Sequence, residues 1–181
     1  MNKLFLTDAD FATAIKTDHL TSIVGSGTQT LEKACISTQT EIESYLRGKY
    51  DLNKLFPVIT AWNIAIEYPI DAIVYDVATL SFYTANEIVP ASTPIDDAKW
   101  TKGDPRDALI VEFMIDLTLY RVHSRVAPNQ VPETRIQRRD DAIDFLKRVA
   151  KYDITVGWAL EVDTRAGSVN WGSNEKQSKI Y

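Results

Sequence analysis

Cysteine and histidine are almost missing from this chain: one cysteine, Cys35, and two histidines, His19 and His123, in 181 residues. A single cysteine permits no disulfide within the chain and no thiolate cluster for a structural metal. The two histidines are far apart in sequence, and neither has a carboxylate or cysteine at ligand spacing. A metal site or a histidine-based triad therefore lacks its partners. Positive charge is not in surplus either, with 20 basic residues against 25 acidic ones and a net charge of −5. Nothing in that balance pulls the whole molecule toward nucleic acid or an anionic membrane. Long apolar runs are also lacking, since Glu112 and Asp116 interrupt even the richest segment, which excludes a spanning helix of the usual length. The opening "MNKLFLTDAD" is too short in apolar residues for a signal peptide, which fits synthesis in a reducing cytoplasm. No nucleophile or acid–base pair stands out, so the expectation is a protein that is not an enzyme and uses no cofactor.

What is present is enough apolar material for a real core, 45% of residues, arranged in two helical blocks. The first, "TLEKACISTQTEIESYLRGKYDL", sets Leu31, Cys35, Thr38, Ile42 and Leu46 on one helical stripe. Cys35 on that stripe reads as a small buried hydrophobe. Gly48 stands where a left-handed C-cap is expected. Upstream, Thr7 with Asp8 and Asp10 signals a helix start, and that short helix should run to about Lys16. The second block begins at Asp104-Pro105, an acceptor followed by a residue that needs no donor in the first turn. From Ala108 to Val122 it is apolar nearly all round, so it should be the central, buried helix. After a junction at Ala127–Val131, Pro132 opens a last helix with a narrower stripe of Ile136, Ile143, Leu146 and Val149.

The middle segment, 57–103, differs in kind. Its runs "VITAWNIAI", "AIVYDV" and "TLSFYTA" are rich in β-branched and aromatic residues and are bounded by prolines. It is acidic, with Glu67, Asp71, Asp76, Glu87, Asp96 and Asp97 against Lys99 and Lys102. The expected architecture is mainly α. A small bundle of about four helices (1–56 and 104–156) carries an inserted small β subdomain (57–103) and an extended C-terminal arm (157–181).

Basic residues gather from Arg121 to Lys151, where eight face four acids. Arg135, Arg138, Arg139 and Arg148 form a candidate basic face. Asp140, Asp141 and Asp144 alternate with those bases as a solvated, salt-bridged face. The arm holds Trp158, Trp171 and Tyr181 among small polar residues, too few to build their own core. Extended, it could reach roughly 80 Å at ~3.3 Å per residue. Those aromatics should bury against something, by strand addition and aromatic anchoring on a partner. Otherwise Trp158 packs on the chain's own bundle.

Four features in order carry a family resemblance: "E-I-x-S-Y-L-x-G-x-Y" ending at Tyr50, "Y-R-x-H" at Tyr120–His123, "L-x-x-V-A-K" at Leu146–Lys151, and "W-G-S-N" at Trp171–Asn174. Together they resemble the head–tail adaptor, or head-completion, proteins of tailed phages, in the branch found in Mu-like phages. The resemblance implies a structural virion protein at the neck, made in the host cytoplasm. It implies a ring, twelve-fold on the portal, which extends the DNA channel and meets tail-side adaptor or tail proteins. Trp158, Trp171, Asn174 and Tyr181 would then be the arm that binds the portal or a neighbouring subunit. The basic face would serve intersubunit contacts or transient contact with the passing genome. The insert, absent from compact members, is similar in its aromatic spacing (Trp62, Tyr68, Tyr83, Trp100) to small chitin-binding modules. Pro69-Ile70-Asp71 replaces their Gly-Asp turn. The rival expectation is therefore a carbohydrate- or surface-binding module carried on a helical bundle.

Overall fold

The computed structural model describes residues 5–24, 28–126 and 130–161, without the side chains at 28 and 29. In chain order the elements are α1 (Asp8–Ala14), α2 (Thr17–Val24), α3 (Thr28–Leu46) and α4 (Leu52–Leu55). Four strands follow, β1 (Ile59–Ala61), β2 (Ile73–Asp76), β3 (Ser81–Ala85) and β4 (Trp100–Lys102), and then α5 (Ala108–Val126) and α6 (Glu133–Ala150). Six helices and a four-stranded mixed sheet make this a mixed α/β protein among the described residues, which corrects the mainly-α expectation of about four helices.

Two of the extra helices have local causes. Helix α1 ends because the β-branched Ile15 turns extended, at φ −151° and ψ 143°, and its N–H closes on the Phe11 carbonyl. A new helix, α2, starts two residues later, where a single helix to Lys16 was expected. Helix α4 is one short turn, capped by the Asp51 carboxylate, which accepts from the Asn53 N–H at 3.1 Å. Thr7 caps α1 as expected, in a reciprocal box with Asp10. Gly48 takes φ +79° after α3, as its position required.

The sheet runs in the order β1-β2-β3-β4, with β1 parallel to β2 and the other pairs antiparallel. Strand alternation divides its side chains between two cores. On one face Tyr75 and Phe82, paired across β2 and β3 with ring centroids 4.8 Å apart, join Ile59 in the core of the helices. On the other face Val74 and Tyr83 meet Tyr68, Ala85, Val89 and Trp100 in a separate small core. The sheet is thus a wall of the main core, and period-two alternation is what lets it serve both sides.

Helices α3, α5 and α6 form the remainder. Thr118 donates to Thr38 at 3.2 Å and Arg121 pairs with Glu41 at 2.5 Å, both at the same sequence offset, so α3 and α5 run in one direction. Phe113 against Phe145 and Asp116 against Arg138 show that α6 runs the other way. Every residue from Phe113 to Leu119 on α5 is buried, as its all-round apolar pattern predicts. Leu117 is 1% exposed. Leu117→Ala should therefore cost about 2–5 kcal/mol, through lost contacts and the cavity left behind. Val77→Ala, on the exposed hairpin turn, should move stability by less than about 0.5 kcal/mol. Urea denaturation of the two variants measures both, and a neutral Leu117→Ala would contradict its place in the core.

Candidate functional site

The most concentrated chemistry lies where the sheet meets the helices. Arg106 is buried there, with its side chain 3% exposed. A guanidinium has five N–H donors and cannot shed its charge, so burial demands a partner for each. Asp10 takes two at 2.7 and 2.9 Å, and Asp104 takes two from Nε and Nη2 at 2.9 and 2.7 Å. The carbonyl of Phe5 accepts the fifth. The guanidinium plane also lies over the Phe82 ring at 4.2 Å. One side chain thereby ties the N-terminal segment, α1, β3 and the approach to α5.

Asp104 was expected to cap the central helix. The cap is Asp107, whose carboxylate accepts from the N–H groups of Leu109 and Ile110 at 3.0 and 3.1 Å. That leaves Asp104 free to grip Arg106. Beside the pair is an open cleft of about 270 Å³ lined by Thr7, Asp10, Tyr75, Lys102, Asp104 and Arg106, among others. Every donor of Arg106 is met by Asp10, Asp104 and Phe5, so the guanidinium itself is spent on holding the junction together.

The four arginines of the candidate basic face are divided. Arg135, Arg138 and Arg139 lie on the same side of α6 as its buried stripe, ahead of Ala142 and Leu146, and meet the C-terminal half of α5. Arg138 reaches Asp116 at 3.5 Å, and Arg139 stacks on Tyr120 at 4.9 Å while pairing with Asp140 at 2.6 Å. Arg135 is half-buried, and burial and the neighbouring Arg138 lower its pKa although Asp116 opposes this. Arg148 lies on the opposite, solvent face of α6, beside Asp141 and Asp144 at helical spacing. No single face holds all four. His123 is half-buried nearby; burial and the charge of Arg135 hold its pKa below the ordinary value, so it is neutral at pH 7.

Of the arm residues, Trp158 is described and is buried by its own chain, edge-on to Tyr50 at 5.5 Å. The segment behind it is pinned to the end of α3: the Asp51 N–H donates to Ala159, the Glu161 N–H donates to Lys49, and Tyr50 bridges Leu160. Trp171, Asn174 and Tyr181 lie outside the described residues.

The insert's aromatics are core residues. Tyr68, Tyr75, Phe82, Tyr83 and Trp100 are each less than 9% exposed, and Trp62 is half-buried. The Tyr68 hydroxyl accepts from the Asn63 N–H at 2.7 Å, and its ring meets Trp100 edge-on at 5.4 Å. Their faces are spent on packing, where a sugar-stacking platform would need them open. Cys35 is half-buried against the core, and burial pushes its thiol up to about 11. His19 is exposed on α2, and among the described residues no three metal-ligating side chains converge. No protein-family model, curated protein or solved structure matches the chain.

Arg106 was missed in sequence because "DPRD" reads as helix-start punctuation, and nothing local marks a residue whose partners lie about a hundred positions away. Its role makes a pH prediction. Burial pushes the Asp10 carboxyl up, but hydrogen bonds from Arg106 and Thr7 more than reverse this and leave its pKa below the ordinary carboxylate value. A carboxyl with a lowered folded pKa contributes stability that is present above about pH 4 and lost as pH falls through the folded value. Asp10→Asn should lower the melting temperature at pH 7, and its gap to the wild type should narrow steadily toward pH 3. Thermal melts across that range check it; a constant gap would contradict a charged clamp.

Proposed function

We propose that this chain is a structural assembly protein of a tailed-phage particle, a head–tail adaptor that sits between portal and tail as a ring. The observation that supports the reading is that the three helical segments bearing the family resemblance pack on one another. Glu41 of "E-I-x-S-Y-L-x-G-x-Y" pairs with Arg121 of "Y-R-x-H", and Tyr120 of the latter stacks under Arg139. Leu146 and Val149 of "L-x-x-V-A-K" are wholly buried, and Tyr50 receives Trp158. Two of the motifs thus meet directly through Glu41 and Arg121, and the others that are described pack into the same body, while Trp171–Asn174 lies outside the described residues.

In this reading the body is the bundle with its sheet wall. The arm, with Trp171, Asn174 and Tyr181, meets the portal or a neighbouring subunit from a fixed exit at Glu161. Trp158 acts as the pin that fixes the exit. Partners are the portal, tail-side proteins and other copies of the chain, and the work is mechanical, without covalent chemistry.

Because the helical stripes are used up inside the subunit, the free protein should be a monomer or small oligomer at micromolar concentration. The ring should form when a portal is supplied. Native mass spectrometry of the purified chain, alone and after co-expression with the portal encoded in the same genome, measures this. A stable twelve-membered ring without portal, or no association with it, would overturn the proposal.

A further inference from the structure

Eleven large hydrophobic side chains are exposed among the described residues, and seven of them fall between Val58 and Ile88. Four are isoleucines at positions 64, 66, 70 and 88, each 48 to 60% exposed. They sit on two segments, 63–70 and 86–92, which are held as a ribbon. Tyr68 and Val89 exchange both backbone hydrogen bonds at 2.9 Å, and the Ser92 N–H donates to the Ile64 carbonyl at 2.6 Å. The ribbon and the residue that follows its first segment, Asp71, carry acidic groups as well. Glu87 holds Lys99, while Glu67 and Asp71 have no basic partner among the described residues.

A surface of opposite sign lies where α5 ends and α6 begins. Arg125 and Arg135 have no acidic partner within ion-pair distance among the described residues, and the Arg138 side chain remains 63% exposed while it touches Asp116. Exposed apolar groups are interleaved here too, Val126 at 53% and Ile136 at 39%. Among the described residues both surfaces are exposed and make no contact with each other.

We propose that the acidic isoleucine ribbon of one copy docks on the basic end of the bundle in a second copy, head to tail. Charge complementarity sets the pairing and steers the approach. The apolar side chains on both surfaces distinguish a protein partner from a nucleic acid, whose phosphates would satisfy the arginines and leave Val126 and Ile136 in water. Two different surfaces in contact make a heterologous interface, which repeats from copy to copy until the rotation closes it. The docking deepens the adaptor reading, on which it rests, by naming the contact between copies: in the free chain it is weak and gives small oligomers, and a stable closed ring needs the portal.

The test uses the full chain alone, by sedimentation velocity from about 10 µM to about 1 mM at low and high salt. The wild type should gain mass with concentration at low salt and lose at least threefold of that association at high salt. Ile66→Ser with Glu67→Ser removes the ribbon contact; Arg125→Ser with Val126→Ser removes the end contact. All four residues are exposed, and unchanged circular dichroism would show that both variants fold. Each variant alone should associate at least tenfold more weakly than the wild type. Their equimolar mixture should give dimers that grow no further, because each copy keeps one intact surface. A wild type that stays monomeric throughout, variants that associate normally, or a mixture without dimers would overturn the proposal. So would binding of a short DNA duplex by the wild type that the Arg125 variant loses, with no self-association in either.

Discussion

The Arg106 guanidinium is the constraint on which the rest of the arrangement depends. A permanently charged group can be taken out of water only if every donor is met, and here Phe5 and Asp10 from the N-terminal stretch and Asp104 beside it meet them, while Phe82 from a third stretch lies under the plane. Those stretches are therefore not free to move independently. The N-terminal segment must return to residue 106, the hairpin of β2 and β3 must bring Phe82 beneath it, and α5 must start just beyond it. Removing either carboxylate leaves a buried cation short of partners, which is typically worse than never having buried it. The arginine's pKa is raised, since the two carboxylates outweigh the burial that opposes them, so the charge persists at any pH where the protein folds.

From that junction follows the character of the sheet. With Tyr75 and Phe82 in the helical core and Val74 and Tyr83 in a second core, the sheet has no fully open face to offer a ligand. Its free surface is the ribbon at its margin, acidic and rich in isoleucine. The bundle's free surface is the basic end where α5 hands over to α6. Surplus charge of opposite sign thus stands on two different surfaces while the net value stays modest. Two unlike surfaces on one body are suited to assembly in series, which is what the proposed adaptor reading requires.

Much of this was legible from residue patterns. The stripe of Leu31, Cys35, Thr38, Ile42 and Leu46, the all-round apolar α5, the Thr7 cap and the Gly48 C-cap all depend on neighbours within a few positions, and sequence reports such neighbours well. The β-branched runs also marked three of the four strands, and missed β4 at Trp100–Lys102. What pattern alone could not show was long-range. Alternation in "IVYD" and "SFYTA" is the same whether the inner face joins another core or its own, so the sheet's role as a shared wall was hidden. Asp104 and Asp107 are equally good caps by composition, and only Arg106's distant partner Asp10 decides between them. Arg135, Arg138, Arg139 and Arg148 look like one cluster along the chain, yet helical phase sends Arg148 to the other side.

Native-state hydrogen exchange tests most directly the claim that sheet and bundle are a single body held at Arg106. In the wild type, the amides of Val74 and Tyr83 and those of Leu117 and Leu119 should open with the same free energy, the global one. In Arg106→Met, the sheet amides should exchange well before those of α5. Sheet amides that already open independently in the wild type, or a variant in which the two sets stay together, would contradict the account.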